Sequence, residues 1–69
     1  MTWEKRKIVV PANVTMTRQR DGFTRSYDGD LVFNAKRQVD DDGQPVTDTW
    51  EFFWLGKVYT VLQSQVRVA

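Results

Sequence analysis

With 69 residues and a net charge of +1, the chain has the length of one small domain and lacks a blanket electrostatic footprint for nucleic acid. A hydrophobic fraction of 41% with 13% aromatics belongs to a folding chain rather than a disordered one, and no apolar run approaches the ~18 residues of a membrane span. The absence of cysteine and histidine removes disulfides, cysteine nucleophiles, the common zinc sites and the usual histidine base.

The opening stretch Met1-Thr2-Trp3-Glu4-Lys5 has no signal-peptide core, so a cytoplasmic location is expected. No segment keeps a helical period over three turns. Runs of Val, Thr, Phe, Tyr and Trp alternate instead with Asp-Gly and Leu-Gly pairs, which predicts strands near 3–10, 13–20, 23–27, 30–39, 46–54, 57–62 and 66–68. The expected fold is all-β: one domain over 1–69, an antiparallel meander of five to seven strands closing into an SH3-like or OB-like barrel or a small sandwich. Pro11 lacks a backbone donor and should end the first strand.

A two-residue turn at Asp21-Gly22 would set Arg18 opposite Arg25 and Met16 opposite Tyr27. Arginines facing each other repel unless a carboxylate or an anion lies between them. Either they splay into solvent or meet Asp28 or Asp30, or the tip grips phosphate or an acidic protein surface. On the last reading Arg18, Arg20 and Arg25, with Lys5, Arg6 and Lys7, are the candidate anion contacts. Keeping Met16, Tyr27, Leu31 and Phe33 on one face requires a bulge or a longer loop at 27–30.

The strongest patterning lies further on. A hairpin at Leu55-Gly56 sets Phe53 opposite Val58, Phe52 opposite Tyr59 and Trp50 opposite Val61. A loop over Asp40–Pro45 sets Val39 opposite Val46, Arg37 opposite Asp48, Ala35 opposite Trp50 and Phe33 opposite Phe52. Together these turns collect Leu31, Phe33, Ala35, Val39, Val46, Trp50, Phe52, Trp54, Tyr59 and Val61 on one core face. The opposite face is polar except for the row Val32–Phe53–Val58, with Leu62 nearby. Either a terminal strand or barrel curvature covers that row, or it is a docking strip for a partner or a second copy.

Asp40-Asp41-Asp42-Gly43 resembles the middle of a calcium loop, but that alignment puts Gln38 at the first ligand and Thr49 where the bidentate glutamate belongs. A solvated loop is the expectation, with no metal and no cofactor. No catalytic set is evident, and a non-enzymatic interaction or assembly module is expected. Its partner would be a protein or a second copy, docked through Val32, Phe53, Val58 and Leu62, with no membrane and no small-molecule substrate. The alternative is a nucleic-acid-binding small barrel that uses the arginine hairpin and exposed aromatics. A phage or mobile-element accessory protein is a setting that suits either.

Overall fold

The β-branched and aromatic runs do form strands. The computed structural model describes residues 1–69 and contains β1 (Thr2–Val10), β2 (Met16–Arg18), β3 (Thr24–Arg25), β4 (Leu31–Val39), β5 (Thr49–Trp54), β6 (Lys57–Leu62) and β7 (Arg67–Val68). A single 3₁₀ turn, Gln63–Gln65, joins the last two. All pairings are antiparallel and make one sheet in the order β3-β2-β6-β5-β4-β1-β7. The ladder does not close into a barrel: β3 and β7 are its edges. No helix is long and apolar enough to cross a membrane.

β1 ends at Val10, before Pro11, and pairs along its whole length with β4, from Thr2↔Val39 to Val10↔Leu31. The chain then turns through Asn13 at φ 67°, whose N–H donates to the Tyr27 carbonyl at 2.6 Å. The Ala12 N–H donates to Asp30 Oδ1 at 3.0 Å. Two loops far apart in sequence are thereby stitched together, and the open connection over residues 26–30 holds the extra residues that parity requires.

The buried cluster contains Ile8 and Val10 from β1, Met16 from β2, Ala35 from β4, Trp50 and Phe52 from β5, and Tyr59 and Val61 from β6. In a flat sheet β1 and β2 would stand four strand spacings apart, roughly 19 Å. Their side chains share one core because the sheet curls around it.

The β5–β6 register is the expected one, from Trp54↔Lys57 to Thr49↔Leu62. Its turn places both Leu55 (φ 53°) and Gly56 (φ 76°) at positive φ, as a primed hairpin turn requires. The β4–β5 register differs from expectation. Ala35 pairs with Phe52 and Lys36 with Glu51, two residues along from the anticipated Ala35–Trp50 pairing. Asp40 is the cause. Its Oδ1 accepts the N–H groups of Asp42 and Gln44, both at 2.9 Å, and its own N–H donates to the Gln44 carbonyl. The loop therefore closes at Val39↔Pro45, and residues 46–48 bend outward before β5 begins.

A shift of two keeps each side chain on its face. The expected core is mostly retained: Phe33 still stacks on Phe52 at 4.2 Å, while Val46 moves out to solvent. Arg37 does not meet Asp48. Its Nε donates to Glu4 Oε1 and its Nη1 to Gln63 Oε1, both at 2.7 Å, and its guanidinium lies 4.2 Å over the Trp50 ring.

Leu55→Asn should raise stability by roughly 1 kcal/mol, because asparagine tolerates the left-handed backbone that leucine adopts only under strain. Chemical denaturation checks this, and an unchanged midpoint would remove the strain at Leu55.

Candidate functional site on the outer sheet face

Strand alternation sends one set of side chains into the core and the other onto the outer face. There the ladders place Lys5, Lys36, Glu51, Thr60 and Thr17 abreast across five strands. One row over, Lys7 is abreast of Asn34 and Phe53 of Val58, whose carbonyl accepts the Gln19 N–H at 2.9 Å. Trp3 and Gln38 form the row on the other side.

A cleft of about 540 Å³ is lined by Lys5, Arg6, Lys7, Gln19, Asn34, Lys36, Glu51, Phe53 and Val58, together with Ala35 and Phe52. A smaller hollow of about 320 Å³ shares Gln19, Lys36 and Glu51 and continues toward Trp3, Gln38 and Thr49. Phe53 is 73% exposed. No terminal strand covers it: β7 pairs with β1 at the sheet edge through Ile8↔Val68 and Val9↔Arg67.

The structure gathers some of the sequence candidates and separates others. Phe53 and Val58 sit together in the cleft with Lys5, Arg6 and Lys7, which sequence patterning had treated as a separate group. Val32 and Leu62 are exposed but outside the cleft. The shifted β4–β5 ladder carries Val32 past Phe53 and brings Asn34 alongside in its place.

Electrostatics distinguish the two lysine environments. The Lys36 Nζ lies 4.4 Å over the Trp3 ring and 3.8 Å from Glu51 Oε1. Lys5 stands directly opposite Lys36, and neither Lys5 nor Lys7 has an ion-pair partner. Arg6, between them on β1, has the core-side parity of Glu4 and Ile8, and its Nη2 holds Glu4 at 3.2 Å.

The arginine hairpin is arranged differently from expectation. β2 and β3 pair as Met16↔Arg25 and Thr17↔Thr24, so Arg18 does not face Arg25. A wider turn, with the Gly22 N–H donating to the Arg18 carbonyl at 2.8 Å, replaces the two-residue one. Arg18 makes a two-pronged bond to Asp21, Nε to Oδ1 at 2.8 Å and Nη2 to Oδ2 at 2.6 Å. Arg25 Nε donates to the hydroxyl of buried Tyr59 at 2.9 Å. Both guanidinium groups flank the Phe23 ring, at 4.8 and 5.1 Å. These two arginines are held within the fold; Arg20 alone of the three is exposed without a partner.

Sequence reasoning missed Lys36, Asn34 and Gln19 as cleft residues, and Trp3 in the neighbouring hollow. Their outward parity was readable, but which row each joined depended on ladders to β1 and β2 that no local signal fixes. Neither a protein-family model, nor a curated protein, nor a solved structure matches the chain; its own residues carry the functional reading.

The Arg18 hydrogen bonds, then the Phe23 N–H, hold the Asp21 carboxyl down to about 2, from an ordinary 3.8. A depressed carboxyl stabilises the fold above its unfolded pKa and loses that contribution as pH falls through the folded one. Asp21→Asn should therefore remove part of the stability loss between pH ~4 and ~2 in thermal melts. Replacing Arg18 and Arg25 together with glutamine should lower the melting midpoint. A rise would mean that the two arginines act as a repelling pair.

Proposed function

We propose that the chain is a non-enzymatic interaction module that docks a partner on its outer sheet face, with Phe53 as the anchor. One observation carries the reading: a large aromatic, 73% exposed, lines an outer-face cleft on a strand paired on both sides. Exposed apolar groups set in a polar rim mark interaction sites, and aromatics at the centre of such sites carry much of the affinity. The expected apolar strip narrows to Phe53 and Val58, and its flank is cationic. A partner presenting negative charge suits that flank better than a wholly apolar one.

Catalysis is left out on chemical grounds. Acid–base or nucleophilic work needs a reactive group beside a second group that activates it. The single carboxylate of this cleft, Glu51, is held in an ion pair by Lys36, which keeps both charged, and no second carboxylate, histidine or thiol stands beside them. We read the curled, open-sided sheet as a small roll of SH3-like or OB-like kind, whose unclosed shape leaves the outer face free.

Phe53→Ser should change the stability of the isolated chain by no more than about 1 kcal/mol, as surface substitutions do. Trp50→Ser, at a core position 2% exposed, should cost roughly 3–5 kcal/mol, a large share of what so small a domain has. Thermal melts of the two variants, with sedimentation and affinity capture comparing Phe53→Ser with the parent, test the reading. It is overturned if Phe53→Ser melts as low as Trp50→Ser, or if it associates and captures as the parent does.

A further inference from the structure

We infer that the outer face binds a short single strand of nucleic acid, with phosphates along β1 and a base stacked on Phe53. The inference rests on the reading of this face as the docking surface and names the class of partner.

Lys5 and Lys7 project from the same face of β1, roughly 7 Å apart along the strand. Lys36 stands directly across from Lys5. Like charges set opposite each other in a ladder repel. Glu51 approaches Lys36, but no carboxylate answers Lys5 or Lys7. An anion bound between the strands would relieve that repulsion.

Phe53 lies in the Lys7 row, two strands across and so roughly 10 Å away. A cationic track beside an exposed flat ring is the combination that holds single strands, since every base has a face to stack. Asn34, between Lys7 and Phe53, supplies both a donor and an acceptor for a base edge. A duplex keeps its base faces in the stack and has none to offer Phe53. An acidic peptide would engage the lysines but lacks a base to lay on the ring.

The near-zero net charge does not oppose this, because Glu51, beside Lys36, is the only acid that lines the cleft. Asp40 folds onto its own loop, Asp21 is held by Arg18, and Asp30 meets Ala12 and Arg67.

The test is fluorescence polarisation with a labelled oligothymidylate of about twelve nucleotides, its duplex, and a polyglutamate of matched charge. With about three phosphate contacts, log affinity should fall against log salt with a slope near −2, roughly 20-fold between about 50 and 200 mM. Lys5→Gln with Lys7→Gln should bring the slope below about 1 in magnitude. Phe53→Ser should weaken oligonucleotide binding about 5- to 150-fold with the slope unchanged, and Phe53→Trp should retain it. Melting curves of each variant establish that it is folded. The inference fails if the single strand binds no better than duplex or polyglutamate, or if Phe53→Ser leaves its affinity intact. If oligonucleotide binding is absent while Phe53→Ser abolishes self-association or capture of a protein, the docking surface stands and only the nucleic-acid assignment falls.

Discussion

A sheet with no helix to lie against it can bury one face only by curling onto that face, and most of this molecule follows from that constraint. The curl brings Ile8 and Val10 at one end of the ladder against Met16 near the other. Trp50 and Tyr59 occupy the centre, and the rings of Tyr27, Trp54, Phe33, Phe52 and Tyr59 continue through edge and stacked contacts. Aromatics suit this task because a small sheet has few positions, and each ring removes a large area from water. Once the inner face is spent on the core, the outer face has nothing left to pack against. Phe53 is on that outer face, so its exposure is a consequence of the architecture and not an accident of one rotamer.

How much of this was readable depended on how locally each feature is determined. The Leu55-Gly56 turn sits between strands that follow immediately, and its register is set by the turn alone, so six consecutive pairs could be read from sequence. The Asp40 loop is longer, and its closure is decided by one side chain capping two N–H groups. Residue type did not show which of three adjacent aspartates would do so. The two-residue shift kept the faces, which is why the core was legible while the neighbours across β4 and β5 were not.

β1 was the least legible element. Its first six residues carry four charges and its last three are all buried, so it shows no alternation at all. Its long pairing with β4 closes a loop of some twenty residues between them, and no turn signal specifies it. Phe53 was legible as an anomaly because it breaks alternation on a strand whose other parity is apolar. That Lys7 stands in its row was not, since the row is assembled from two ladders, one with no local determinant and the other shifted.

The division of labour between the two cations explains why net charge is a poor guide here. Arginine presents a rigid fork that loses less freedom for each bond it makes, whereas lysine is a hydrated point charge on a flexible stem. Five of the six arginines are engaged internally: Arg6 and Arg37 with Glu4, Arg18 with Asp21, Arg25 with Tyr59 and Arg67 with Asp30. Of the four lysines only Lys36 has an acidic neighbour. The arginines therefore take three of the nine acids, Glu4, Asp21 and Asp30, in holding loops and strands together, and the positive charge left unpaired collects on lysines. Two of those lysines, Lys5 and Lys7, stand on the face that the core leaves empty. Summed over the chain the charges nearly cancel, but the cancellation lies in the arginine contacts and the acidic loops. The cleft experiences only what they leave uncompensated.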